Sequence, residues 1–182
     1  GRMFSRERHK GHDQLIEGWP SLKARVPDAQ LVIVGRGDDV ERLKAKANRT
    51  GFGESILFTG QVNDSTLDAL YQRVAVFAMP SRGEGFGLVY LEAMQHRLPC
   101  IGSMHDAAAE IIEDGVTGLL VDQADVVGLA DALARLLQNP SQRKEMGEAG
   151  LRRLQRMFSF EQFRHRILTI LKPLMNGSAV SL

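Results

Sequence analysis

Short, almost wholly apolar runs alternate with amphipathic stretches along the first two thirds of this chain. That alternation predicts successive β-α units built around a mostly parallel sheet. The runs are Leu31-Val32-Ile33-Val34, Ile56-Leu57-Phe58-Thr59, Val74-Ala75-Val76-Phe77-Ala78-Met79, Cys100-Ile101-Gly102 and Leu119-Leu120-Val121, several of them closed by a glycine or proline. Strands covered by helices on both faces have this near-continuous apolar character. Between them the spacing predicts helices over 12–25, 38–49, 64–72, 86–96 and 107–113. The first places Leu15, Ile16, Trp19 and Leu22 near one face, and Pro20 is expected to kink or restart it. After Val121 the pattern changes to three helices, over 124–138, 140–158 and 160–175. Asn139 with Gln142, and Ser159 with Gln162, have the form of N-cap and N3 pairs opening the last two. Gly147 and Gly150 are expected to weaken the middle one and break it near its centre. The expected class is α/β, a doubly wound, Rossmann-like, mostly parallel sheet with C-terminal helices.

A length of 182 residues with 43% hydrophobic and 25% charged composition fits one soluble domain. Its expected extent is 1–175, with 176–182 a flexible tail. The opening Gly1-Arg2-Met3 reads as the end of a strand, as though the piece came from a longer chain. A net charge of +1 gives no electrostatic reason to expect nucleic acid as a partner. Cys100, the single cysteine, sits among Leu98, Pro99 and Ile101 as a small buried hydrophobe, which suits a reducing cytoplasm. No run of about 18 apolar residues could span a bilayer, and the first residues lack the apolar core of a signal peptide. The histidines at 9, 12, 96, 105 and 165 lack metal-ligand spacing, so no metal site is expected. Arg143, Lys144, Arg152, Arg153, Arg156, Arg164, Arg166 and Lys172 on the last helices read first as solvated faces. Contact with an anionic membrane or a lipid-linked acceptor is the second reading.

The densest chemistry lies in Pro80-Ser81-Arg82-Gly83-Glu84-Gly85-Phe86-Gly87-Leu88-Val89-Tyr90-Leu91-Glu92-Ala93-Met94, which joins a buried strand to an apolar helix. Three glycines within five residues permit positive φ and close backbone approach, and the amides at the following helix start favour an anion. Such turns are common, and many bind nothing. Glu92 lies inside an apolar helix and is expected to be buried unless it faces a cleft, and burial of an unpaired carboxylate costs several kcal/mol. It therefore needs a basic neighbour or the hydroxyls of a ligand. Glu84 lies ahead of the helix, roughly 9 to 12 Å away from the 1.5 Å rise per residue, a span suited to two ends of one elongated ligand. His105-Asp106 reads as a turn and helix cap ahead of an alanine run, and Glu110 as support for that loop or a structural anchor.

Two glutamates separated by seven residues, set in Pro-Ser-x-x-Glu-Gly-Phe-Gly before Leu-Glu-Ala-Met, resemble the signature of glycosyltransferase family four, the retaining GT-B enzymes. The resemblance covers nearly the whole chain. It includes Gly1-Arg2 with Lys10-Gly11, Val32-Ile33-Val34-Gly35-Arg36-Gly37, Phe58-Thr59-Gly60-Gln61-Val62 and Glu110 through Val121, in the family's order. It implies the C-terminal, donor-binding domain of such an enzyme, without the N-terminal acceptor domain. In the family, the cations matching Arg2 and Lys10 hold the donor diphosphate, the glutamate matching Glu84 meets hydroxyls of the donor sugar, and that matching Glu92 meets the ribose. Backbone groups of Gly85, Phe86 and Gly87 would meet sugar and phosphate, Gly35 and Gly37 would lie at a ligand-bearing strand end, and Gly60 to Val62 would approach the base. Arg2 and Lys10 are separated by seven residues, a longer gap than the family's usual loop, so Arg6 and Arg8 stand as alternatives to Arg2.

The implied activity is retaining hexosyl transfer from a nucleoside-diphosphate sugar, with no metal or other cofactor. The isolated piece is expected to bind nucleotide weakly and transfer nothing. The acceptor is expected to be a glycan or a lipid-linked sugar, and the place of action the cytoplasm or the inner face of its membrane. A non-catalytic nucleotide- or phosphate-binding module is the alternative. A dinucleotide-dependent oxidoreductase would need a Gly-x-Gly-x-x-Gly turn after the first strand and an acidic residue about 20 positions on, a pattern the chain lacks.

Overall fold

The computed structural model describes residues 1–175; the expected tail at 176–182 lies outside the described residues. In chain order the elements are α1 (His12–Arg25), β1 (Leu31–Val34), α2 (Val40–Arg49), β2 (Ile56–Gly60), α3 (Asp64–Arg73), β3 (Phe77–Met79) and α4 (Leu88–Gln95). Then come β4 (Cys100–Ser103), α5 (Ala108–Ile111), β5 (Gly118–Val121), α6 (Val126–Gln138), α7 (Pro140–Arg153) and α8 (Phe160–Met175). All strand pairs are parallel, as the β-α alternation requires. Their hydrogen bonds form two ladders, β1-β2 and β3-β4-β5, rather than one continuous sheet. The opening residues run beside the carboxyl end of β1: the Gly1 amine donates to the Val34 carbonyl, and Met3 N–H to that of Arg36 at 3.0 Å.

Alternation along β4 divides the interior. Ile101 joins a core with Ile16, Leu22, Leu43, Leu129 and Leu136 from α1, α2 and α6, while Cys100 faces the opposite core of Tyr90, Met94, Ile111 and Ile112. Successive residues of one strand thus serve two helical layers, which is what double winding means at the level of side chains. All four residues of β4 are buried, whereas β1 buries only Ile33 and β3 buries none. Near-continuous apolar character therefore overstates the burial of β1 and β3. Cys100 is fully buried, and desolvation pushes its thiol well above the ordinary value.

Several local expectations give way to tertiary packing. Helix α1 runs unbroken through Pro20. An internal proline costs about 3 kcal/mol, but Ile16, Trp19 and Leu22 are each at most 2% exposed and contribute about 1.5–3 kcal/mol apiece. Helix α7 likewise passes through Gly147 and Gly150 without a break. A Cβ on Gly147 would collide with the Arg97 carbonyl, and one on Gly150 would lie 3.1 Å from Met94 Cγ, so both glycines admit a neighbouring segment. The irregularity falls later, in a π turn at Leu154–Phe158. The Asn139 cap forms as expected, its Oδ1 accepting from Gln142 N–H at 3.0 Å, and Ser159 Oγ accepts from Gln162 N–H at 3.3 Å. Two basic residues read as solvated are instead structural: Arg143 donates to the Leu136 and Leu137 carbonyls, and Arg153 to those of Ile111 and Glu110. Glu110 is thus an anchor through its backbone, with its side chain exposed. No helix among the described residues is long and apolar enough to cross a membrane.

Candidate functional site

The site assembles where three strand ends and the opening loop converge. Lys10 closes a 3-10 turn (Arg8–Lys10), and Gly11 follows with φ +81°. Only glycine fits there, because a Cβ would strike the Pro80 carbonyl at the end of β3. The His9 carbonyl accepts from Arg82 N–H at 2.7 Å and from Gln123 Nε2 at 3.1 Å. The loops after β3 and β5 therefore both grip the turn that carries Lys10.

Held this way, the Lys10 ammonium donates to Glu84 Oε2, with the two side chains only 16% and 17% exposed. Burial pushes the Glu84 carboxyl up, but the Lys10 hydrogen bond and charge outweigh it, and the group rests below its ordinary value. It stays ionised at neutral pH. Glu84 is also bound through its main chain: its N–H donates to Asp106 Oδ2 at 3.2 Å, and its carbonyl accepts from Ala107 N–H at 3.2 Å. The other carboxylate oxygen accepts from Gly87 N–H at 3.4 Å. Part of the loop's anion-binding capacity is thus taken up by its own glutamate. Gly83 and Gly87 adopt φ +101° and +65°, and the left-handed Gly87 delays α4 to Leu88, two residues after the predicted start. Phe86 consequently belongs to the loop, 83% exposed beside the open Gly85.

Glu92 departs from the expected burial. It is exposed on α4, and its hydrogen-bond partner is the Tyr71 hydroxyl, which donates to Oε2 at 3.2 Å; no basic residue pairs with it among the described residues. Eight residues cannot bury every face of so short a helix, so its apolar composition is no guide to this position. Burial first, then the Glu92 charge and hydrogen bond, raise the Tyr71 hydroxyl above its ordinary value, so it remains a donor. The Gly1 amine is depressed by burial first and by Lys10, with Glu92 opposing.

The remaining predicted residues surround this pair less tightly. The Arg2 side chain is 68% exposed and ion-paired through its Nε, 3.4 Å from Glu7 Oε2. Arg8 is held away by Asp39 at 3.1 Å, and Arg6 is exposed. Gly35 and Gly37 lie beyond β1, where a Cβ on either would strike the carbonyl of Gly1 or Met3. Their want of a side chain is explained by the crossing of the opening segment. Gly60 ends β2 at φ +71° with open space around it, and Val62 is half-buried beyond it.

Sequence reasoning missed Ser81 and Gln123, buried at 0% and 5% exposure, and gave Asp106 too small a part. The N-cap position of α5 falls on Ala107 rather than on Asp106 as expected; Asp106, one residue earlier, accepts from Ala108 N–H at 2.9 Å and also from Ser81 Oγ at 2.5 Å. His105 turns instead toward Asp122, at 3.5 Å. A small hydroxyl directly after the Pro80 strand end was the available signal for Ser81; nothing local marks Gln123. A separate shallow hollow of about 410 Å³, lined by Lys23, Asn48, Phe52, Glu54 and Ser55, lies at the amino end of β2. Ligands in open α/β sheets collect at the carboxyl ends of strands, and the hollow holds none of the convergent groups just described.

Residues 4–153 match the family model described as glycosyl transferases group 1. The chain is 39% identical over 148 residues to a GDP-mannose-dependent alpha-(1-6)-phosphatidylinositol monomannoside mannosyltransferase of Mycolicibacterium smegmatis, covering 78% of this chain and 39% of that protein. Among solved structures, sucrose-phosphate synthase from Thermosynechococcus elongatus superposes with a TM-score of 0.83 at 27% identity, over 97% of this chain and 46% of that one. The C-terminal domain of a glycosyl transferase group 1 family protein from Francisella tularensis gives 0.79 at 26% identity, over 88% and 84%. The chain spans about two fifths of the length of these curated relatives.

Proposed function

The chain belongs to the group 1 glycosyl transferases, and on that premise we propose that it is the donor-holding part of a retaining enzyme that moves a hexose from a nucleoside diphosphate to an acceptor hydroxyl. The observation that carries this reading is the Lys10–Glu84 pair, mostly sheltered at the carboxyl end of β3 and fastened by three loops. A diphosphate would replace the Glu84 carboxylate as the partner of Lys10, and the freed carboxylate would accept hydrogen bonds from the donor sugar. Amides of Gly85 to Gly87 lie beside that exchange. Glu92 would receive ribose hydroxyls, a role supported by its exposure and by the lack of a basic partner among the described residues.

In the step itself the bond from the anomeric carbon to the diphosphate oxygen breaks while the acceptor oxygen bonds that carbon on the same face. The acceptor proton passes to the departing phosphate oxygen. Negative charge grows on the diphosphate as the bond lengthens, and fixed cations stabilise that growth more than they stabilise the ground state. Lys10, joined by Arg2 once it leaves Glu7, would fill the role a metal otherwise takes. The acceptor would be held by a further part of the same protein, a lipid-linked or glycan hydroxyl in keeping with the named relative.

GDP-mannose is the first donor to test, because the mannosyltransferase relative is GDP-mannose-dependent. Differential scanning of the chain with GDP, UDP, ADP and their sugar derivatives should raise the melting temperature for one base family, and more for the sugar nucleotide than for the nucleotide. The isolated chain should transfer no sugar. Measurable transfer by it, or equal indifference to all three bases, would overturn the proposal.

A further inference from the structure

The glutamate that faces the donor sugar is steered from outside its own loop. Asp106, between β4 and α5, engages three separate groups at once. Its Oδ2 accepts from the buried Ser81 hydroxyl at 2.5 Å and from Glu84 N–H at 3.2 Å, while Oδ1 accepts from Ala108 N–H at 2.9 Å. A return bond from Ala107 N–H to the Glu84 carbonyl, at 3.2 Å, closes a short two-stranded clasp. Beneath it, the Tyr90 hydroxyl donates to the Met79 carbonyl at 2.6 Å, bracing the strand end from which the loop departs. Without the clasp, the Gly83-Glu84-Gly85 backbone would have the freedom that glycines on either side confer.

We propose that Asp106 is a positioning residue for donor-sugar recognition: it fixes the backbone of Glu84, and through it the direction of the carboxylate, without touching the ligand. This rests on the donor-site reading above. Lys10 is held by different bonds, from Arg82 N–H and Gln123 to the His9 carbonyl. Loss of Asp106 should therefore harm recognition of the sugar and largely spare that of the diphosphate. Hydrogen bonds to a charged acceptor exceed neutral ones in strength, and residues in one network couple measurably.

The test is a double-mutant cycle on the 182-residue chain, with GDP and GDP-mannose as calorimetric probes and the ratio of their dissociation constants as readout. Asp106→Ala should shrink the preference for GDP-mannose by about tenfold, within the range of network couplings, and change GDP binding less than about twofold. In a Glu84→Gln background the same substitution should change the preference no further. Asp106→Asn, which keeps the volume but cannot accept from both amides, should fall between wild type and Asp106→Ala and guards against a variant that fails to fold. Equal weakening of both ligands, or additive effects in the cycle, would assign Asp106 a general structural role and overturn the inference. A wild-type chain that binds GDP without preferring GDP-mannose, and shows no sugar preference with UDP-glucose against UDP, would overturn the donor-site reading itself.

Discussion

The two acids of the loop-helix segment occupy opposite mechanical regimes. Glu84 is ion-paired to Lys10, bonded through N–H and carbonyl to the loop before α5, and mostly sheltered. Glu92 is exposed and rests on one phenolic hydroxyl. One end of the site is built before any ligand arrives; the other is left for the ligand to organise. That division suits a donor whose reacting sugar must be placed to within tenths of an ångström while its ribose tolerates slack.

Substitutions can break this contrast in graded steps. Lys10→Ala should have the largest effect, weakening GDP binding by about a hundredfold in calorimetry, because it removes the sheltered cation and strands Glu84. Glu84→Gln should come next, with a loss of about tenfold confined to the preference for sugar nucleotide over nucleotide. It also carries a pH signature. Because the folded carboxyl sits below its ordinary value of 4.5, its contribution to stability is fully present above that value and is lost as pH falls through the lower, folded one. The difference in chemical-denaturation stability between wild type and Glu84→Gln should hold steady from neutrality to about pH 5 and shrink in more acid solution. Glu92→Gln should weaken GDP by only about threefold to fivefold, as befits a solvent-facing hydrogen bond. Tyr71→Phe should be smallest, within about twofold. A Glu92 variant as damaging as Lys10→Ala would erase the distinction between the two ends.

Much of the framework was legible in the sequence, because β-α alternation and turn residues are local signals. The parallel strands, the late trio of helices and the Asn139 and Ser159 caps all follow from pattern. What escaped was decided by packing between distant segments. Pro20 is overridden by the burial of Ile16 and Leu22, and Gly147 serves a carbonyl on Arg97 rather than a helix break. Glu92 was expected inside because its neighbours are apolar, yet only contact with other elements decides which face of a two-turn helix is covered. The glycine loop itself was conspicuous; its bonds to Asp106, and the bond from Gln123 to the His9 carbonyl of the adjoining turn, join residues 22 to 114 positions apart in the chain. Spacing within a motif cannot reveal such partners.

The central claim is that nucleotide sugar binds at the carboxyl ends of the strands, between the Lys10 turn and the loop 81–87. Backbone amide NMR of the labelled chain during titration with GDP-mannose tests it most directly. The account predicts the largest shift changes at Lys10, Gly11 and Gly83 to Gly87, with smaller ones at Tyr71 and Glu92. Saturating shifts confined to the hollow around Asn48 to Ser55, with the glycine loop unmoved, would contradict it.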